Sequence, residues 1–342
     1  MARKTIRQLF ALTIPEIQEV FLQTMQGVVD DAILDQMIVA IENNDAEALF
    51  KASGFTPAAL SPILDRIEQS YKDGGLSESS LWPKRIVTPT GVVRFRFDMR
   101  NTVVEQDLKQ YSSGFVTRLT NEARSNVRMV LQRGMLAGDN PRQTALNIVG
   151  KVNRSTGKRE GGVIGLTVGQ EGWVANTKRY LEQGDSKYFS LKLRDRRFDS
   201  VVKKAMADKR KLKPSEIDRL VTSYKVKALK YRGETIGRTE TLQSINRGAA
   251  ASYAQAINEG TLKRSQVTKE WDDVSGPRTR RTHRKMGVTY GKGKGIGVDD
   301  IFVSPSGSRL KQPGDTTLDA DASEIVNCRC IVKYRIDWFK GL

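Results

Sequence analysis

Between Val104 and Val130 an apolar residue returns every three or four positions: Val104, Leu108, Tyr111, Phe115, Leu119, Ala123, Val127 and Val130. That spacing keeps one stripe of a 3.6-residue helix aligned, so the stretch from about Asn101 to Leu136 is expected to be one long amphipathic helix. A stripe of that length is buried only against other helices, within one chain or across copies. The fold is therefore expected to be mainly α. Gly138 and the run Asp139-Asn140-Pro141 should stop this helix and start the next near Pro141.

The flanking segments add helices and a few strands. Thr13 reads as an N-cap ahead of Pro15, and Ile14, Ile17, Val20, Phe21, Met25, Val28 and Val29 follow at helical spacing, giving a long helix or a broken pair as far as Glu42. Asp45 can cap a short helix that Gly54 ends, and Thr56-Pro57 opens another expected to stop at Gly74-Gly75. After the Ser-rich joint Leu76–Ser80, two short strands around Pro89-Thr90-Gly91 predict a hairpin within Arg85–Phe97. Pro214 starts a helix toward Tyr231, and Gly233 is expected to divide it from a second one over about Glu234–Asn258. At the end, Cys328, Cys330, Val332, Tyr334 and Ile336 share one face of an alternating, half-buried strand. The chain thus divides into an acidic helical module (1–80), a hairpin, long helix and basic central region (81–232), and a small α+β C-terminal domain (233–342).

Charge separates these segments further. The formal net charge is +18, yet residues 1–80 hold 6 Lys+Arg against 12 Asp+Glu, while residues 151–213 hold 17 against 7. An acidic helical module suits a protein partner; a basic centre suits polyphosphate, through counterion release. The cations expected to face phosphate are Lys158, Arg159, Arg194, Arg196, Arg197, Lys209, Arg210 and Lys211. A solvated helical surface would explain the same residues, and nothing in the segment has the pattern of a base reader. No apolar run approaches the ~20 residues of a membrane helix, so a protein made in a cytoplasm is expected, its two cysteines reduced or metal-bound.

The reactive side chains gather near the C-terminus. His283 is the only histidine and Cys328 and Cys330 are the only cysteines. Around them stand Arg238-Thr239-Glu240, Lys269 with Trp271, Arg281, Pro313-Gly314-Asp315, Glu324, Asn327 and Arg329. The order and spacing of these residues resemble the phage Mu F-like head morphogenesis family, also called phage minor head proteins. Motif support covers about 100 residues, with a weaker likeness at Thr156–Gly162 and Gly165–Thr167 and none over the first 80. The resemblance implies a minor component of a tailed-phage head: low in copy number, associated with the portal and other head or scaffold proteins, touching double-stranded DNA, and acting in packaging or ejection. It implies a virion location, with host cytoplasm during assembly, and no established catalytic activity. The Gly291–Gly297 loop is an insertion-like departure; it has no Walker pattern and reads as a mobile basic loop in which Lys292 and Lys294 can reach phosphates.

Two readings of the C-terminal constellation stay open. The first is a latch without metal, in which the thiols are packed side chains, His283 is an orienting donor, Arg281, Asn327 and Arg329 tie loops to carbonyls and carboxylates, and Asp315 and Glu324 accept. The second is zinc held by His283, Cys328 and Cys330, with Asp272 or Asp273 as fourth ligand. No other cofactor is implied. Enzyme readings compete from further away. A metal-dependent nuclease could use Asp272, Asp273, Asp299 and Asp300, and a host-acting toxin related to ADP-ribosyltransferases would need a Gln/Glu-x-Glu triplet that the chain lacks.

Overall fold

A computed structural model of the chain describes residues 5–89 and 91–340. In order, the elements are α1 (Ile6–Asp30), α2 (Leu34–Glu42), α3 (Ala46–Ala52), α4 (Ser61–Ser79), β1 (Ile86–Thr88), β2 (Gly91–Val93), α5 (Thr102–Ala137), α6 (Pro141–Val149), β3 (Lys151–Val152) and β4 (Arg159–Glu160). There follow α7 (Val168–Gln183), α8 (Asp199–Ala207), α9 (Pro214–Asn258), β5 (Val267–Asp272), α10 (Arg281–Tyr290), β6 (Ile296–Gly297), β7 (Phe302–Val303), β8 (Arg309–Leu310), α11 (Ala322–Ile325) and β9 (Ile331–Ile336). The fold is mainly α, with its small sheets concentrated toward the C-terminus.

These elements form two compact units that are not consecutive in sequence. The first comprises Met1–Glu19, Ile63–Ser113 and Glu234–Leu342; the second comprises Val20–Pro62 and Gly114–Gly233. Helices α1, α5 and α9 contribute residues to both. Each unit is therefore assembled from distant pieces of chain, so the expected segments 1–80, 81–232 and 233–342 do not coincide with them.

In the first unit, α9 is buried around its whole circumference from Glu240 to Ala249. Backbones come close enough to do this because glycines stand at the crossings: a Cβ on Gly248 would lie 1.8 Å from the Tyr71 carbonyl oxygen, and one on Gly74 would lie 2.3 Å from that of Ile245. Gly74-Gly75 therefore does not stop α4, and Gly233 does not divide α9. A helical glycine costs only about 1 kcal/mol relative to alanine, which packing along a 45-residue helix readily offsets. The polar groups carried inward find partners. Arg247 Nη2 donates to Asp107 Oδ1 at 2.6 Å, and Tyr71 Oη donates to Asp107 Oδ2 at 2.9 Å.

Beside α9 lies a three-stranded sheet of order β6-β5-β9, in which β5 runs antiparallel to β9 from Val267↔Ile336 to Asp272↔Ile331. Val332 and Tyr334 enter the core while Lys333 and Arg335 are exposed, as alternation requires; Ile331 is buried as well. An aromatic column fills the space between sheet and helix: Trp82 to Tyr253 at 5.0 Å, Tyr253 to Tyr334 at 4.2 Å, and Trp271 to Phe302 at 5.3 Å between ring centres. The hairpin β1–β2 pairs Ile86↔Val93 through Thr88↔Gly91; Thr90 of its predicted turn lies outside the described residues.

The chain start differs from its expected cap. Thr13 lies inside α1, whose apolar face continues upstream through buried Leu9. Pro15 is tolerated within the helix, since burial on both sides of it outweighs the one backbone bond that a proline removes.

In the second unit lies the larger part of α5, which extends over 36 residues and matches its sequence period. Caps mark the helix starts: Asp45 accepts from Glu47 and Ala48 amides at α3, Asn140 accepts from the Gln143 amide at α6, and Thr167 with Gln170 makes a reciprocal capping box at α7. Its core includes Leu166, Val174, Tyr188, Val202, Tyr224 and Ala228.

Candidate metal centre

His283 enters the first unit from the first turn of α10 and is 1% exposed. Cys328 and Cys330 come from the lead-in to β9, where Asn327 adopts φ +57° and turns the chain. His283 Nδ1 lies 3.2 Å from Cys330 Sγ and 3.4 Å from Cys328 Sγ. On the other side of the ring, Nε2 lies 2.8 Å from Glu324 Oε2. Glu324 is fixed in turn by Thr282 Oγ1 at 2.9 Å and Ser306 Oγ at 2.8 Å. The donor atoms of His283, Cys328 and Cys330 fall within 4.8 Å of one another, so this group can hold a metal ion.

Electrostatics within the cluster are lopsided. Burial pushes Cys328 up, but its contacts with Cys330 and His283 together pull it further down, so its net shift is well below the ordinary thiol range. Cys330 is shifted upward, first by its hydrogen bond to Cys328 and then by burial. Trp271 packs edge-on to the His283 ring at 5.3 Å, and its Nε1 is buried without a hydrogen-bond partner.

The surrounding motif residues knit this cluster to α9. Arg238 Nε donates to Asn327 Oδ1 at 2.8 Å, and the Asn327 amide donates to Thr239 Oγ1 at 3.1 Å. Asn246, fully buried, donates to the Pro313 carbonyl at 3.3 Å and accepts from the Val332 amide at 3.4 Å. Asp315 holds its own turn by accepting from the Lys311 and Thr317 amides, at 2.8 and 2.9 Å. Glu240, also fully buried, accepts from Tyr111 Oη at 2.8 Å. Lys269 Nζ donates to the Lys311 carbonyl at 2.9 Å.

Two arginines depart from their expected role. Arg281 and Arg329 are exposed and make no tie to a carbonyl or carboxylate among the described residues. The neighbouring Arg280 does so instead, reaching the Glu324 and Val326 carbonyls. Arg280 is the extended N-cap of α10, and its backbone turn carries the guanidinium across the loop ahead of β9, whereas Arg281 begins the helix on its solvent face. Nor does Asp272 or Asp273 complete a metal set. Asp272 pairs with Lys333 at 2.7 Å and Arg7 at 3.0 Å, and Asp273 accepts from the Ser275 amide at 2.9 Å.

The proposed phosphate contacts lie in the second unit and divide into two groups. Arg194 pairs with Asp199 at 3.1 Å, Arg197 with Asp195 at 2.6 Å and Arg210 with Glu216 at 2.9 Å, while Arg159 donates to the Gly150 carbonyl at 3.2 Å. Lys158, Arg196, Lys209 and Lys211 are exposed and have no ion-pair partner among the described residues. The same unit contains a cleft of about 770 Å³ lined by residues including Arg133, Lys151, Glu171, Asp218 and Lys225. There Glu171 is bound by both terminal nitrogens of Arg133 and Asp218 by Lys151. Burial lowers the Lys225 ammonium to about 8, against the opposing pull of Glu171 and Asp218.

No family model, curated protein or solved structure matches this chain. No helix among the described residues is long and apolar enough to cross a membrane.

Proposed function

We propose that this chain is a non-catalytic minor head protein of a tailed phage. It docks on the portal or another head or scaffold protein, lies against packaged double-stranded DNA without reading sequence, and acts in head assembly and in genome packaging or ejection. Its place is the head interior or portal vertex, after assembly in host cytoplasm.

The observation that carries this reading is the burial of most of the residues behind the family resemblance, Arg238, Arg281, Asn327 and Arg329 excepted. Glu240, Trp271, His283, Asp315 and Glu324 are each 3% exposed or less and bond or pack within the same unit. A reactive set sealed in this way suits a lock and gives substrate no approach. The metal-binding capacity of the cluster is compatible with a lock and is not required by it. Support for the DNA contact comes from the exposed, unpaired Lys158, Arg196, Lys209 and Lys211.

The carboxylates a nuclease would use are already engaged. Besides Asp272 and Asp273, Asp299 pairs with Arg264 and Asp300 accepts from the Gly297 amide at 2.8 Å. The toxin alternative still lacks its Gln/Glu-x-Glu triplet.

Mass spectrometry of full and emptied particles, together with duplex titrations of the purified chain across salt, tests the proposal. The expected result is low-copy presence in full heads and sequence-blind binding that weakens steeply as salt rises. Absence from mature heads, or no duplex binding at low salt, would overturn it.

A further inference from the structure

We infer that His283 Nδ1 and the sulfurs of Cys328 and Cys330 are three ligands of a zinc ion, with Glu324 as the carboxylate that orients the imidazole. This goes beyond the head-protein reading, which stands or falls without metal.

Spacing is the first argument. With zinc about 2.05 Å from nitrogen and 2.3 Å from sulfur, tetrahedral geometry places N and S roughly 3.6 Å apart. The two N···S separations are 3.2 and 3.4 Å. Both separations lie within a few tenths of an ångström of that value, and all three donor atoms fall within 4.8 Å of one another.

Lone-pair accounting is the second. Glu324 faces Nε2, so the imidazole proton belongs there and Nδ1 presents its single lone pair. Two sulfurs crowd that one lone pair, although a neutral imidazole nitrogen accepts only one thiol proton well. A cation between the three atoms satisfies all of them.

The outer shell supplies the third. Ligating histidines characteristically donate their second N–H to a carboxylate that is itself hydrogen-bonded; Glu324, held by Thr282 and Ser306, stands 2.8 Å from Nε2 in that position, with the ring not aligned to donate to it. The Cys330 amide donates to Cys328 Sγ at 3.5 Å. The orphaned Trp271 Nε1 adds a buried N–H beside Cys330 that a thiolate could use. Among the described residues no fourth His, Cys, Asp or Glu joins the group, which leaves the last position to a small ligand such as water. Such an ion would fasten the start of α10 to the lead-in of β9, segments 45 residues apart in sequence.

The test uses the full reduced chain, stripped with chelator and then given zinc alone or cobalt(II) alone. About one zinc per chain retained through gel filtration, a higher melting temperature with zinc, and a thiolate-to-cobalt charge-transfer band are expected. Glu324→Gln should keep that stoichiometry with affinity weakened 10–100-fold, and Cys328→Ser/Cys330→Ser should lose both zinc and the band. Because the double variant could fail to fold, the cobalt spectrum of the folded parent chain decides independently. Less than a tenth of an equivalent of zinc, no thiolate band in the parent, zinc retained by a folded double-serine variant, or selective uptake of copper(I) in place of zinc would each overturn the assignment. An unaltered zinc affinity in Glu324→Gln would remove Glu324 from it.

Discussion

Replacing Gly248 with alanine sets two effects of known sign against each other. In a helix interior alanine is favoured over glycine by about 1 kcal/mol, and Gly248 lies within α9. The added Cβ, however, would stand 1.8 Å from the Tyr71 carbonyl oxygen, 2.7 Å from its carbon and 3.1 Å from the Gly75 nitrogen. All three are backbone atoms, so no side chain can rotate away; α4 and α9 must separate by more than an ångström. Overpacking typically costs about 1–3 kcal/mol and occasionally more, and a clash this deep belongs at or beyond the upper end. The net expectation for Gly248→Ala is a loss of about 2 kcal/mol or more. Gly114, in α5, is the control: a Cβ added there would meet nothing within 4 Å, so Gly114→Ala should gain about 0.5–1 kcal/mol. Urea unfolding of parent and variants, followed by far-ultraviolet circular dichroism, measures both. A Gly248→Ala protein as stable as the parent would refute the claim that glycine is there to let the two helices touch.

Other outcomes are equally open to measurement. Converting Lys158, Arg196, Lys209 and Lys211 to alanine should flatten the plot of log binding constant against log salt by roughly 0.9 per lost phosphate contact; an unchanged slope in filter binding places the DNA elsewhere. Asn246→Ala should cost about 2–4 kcal/mol in urea unfolding, since it strands the Pro313 carbonyl and the Val332 amide in a buried position; a loss below about 0.5 kcal/mol would contradict that. Lys269 provides a pH test: burial lowers its ammonium to about 8, opposed by Asp299, Asp300 and Asp315, while an unfolded lysine titrates near 10.4. Below pH 8 both states hold the proton; between about 8 and 10.4 only the unfolded state does, so this group makes stability rise with pH across that window, by on the order of 3 kcal/mol at most. Lys269→Met should lack that rise, and parallel stability-against-pH curves for parent and variant would dismiss it.

Legibility in the sequence followed the physics of each signal. The period of α5 was readable because one repeated stripe encodes one face, and Asp45, Asn140-Pro141 and Pro214 were readable because helix starts are set by local hydrogen bonds. The capping box of Thr167 and Gln170 had an equally local pattern and could have announced α7. Glycine was where local reasoning failed. At Gly54 it ended a helix as expected, with φ +82°, but Gly74 and Gly248 serve contacts with residues more than 170 positions away. Nothing within a helical window distinguishes a glycine that stops a helix from one that lets another helix approach. At the site, the convergence of His283, Cys328 and Cys330 was one of the two readings that residue type left open. Ser306 and Asn246 carried no such mark, since their role depends on which loops the fold brings to Glu324 and β9.

Charge counting shows a related limit. The surplus of residues 151–213 suggests a uniformly basic face, yet part of it is neutralised internally. Asp195, held well below the usual carboxylate range chiefly by its hydrogen bond from Arg197, and Glu216, drawn down to about 2 chiefly by Arg210, remain ionised at any neutral pH and keep those guanidinium groups occupied. A phosphate approaching Arg197 or Arg210 meets a guanidinium already partly neutralised by a carboxylate, whereas one approaching Lys158 or Lys211 displaces only water and counterions. Conversely, Arg329 is exposed, yet partial desolvation and then the nearby Arg278 and Arg238 hold it below the ordinary guanidinium range. Like charges crowded beside one another attract an anion more strongly than the same charges dispersed or paired. Within the basic centre, the cations available to a polyanion are therefore those the fold leaves without a partner, Lys158, Arg196, Lys209 and Lys211 among them.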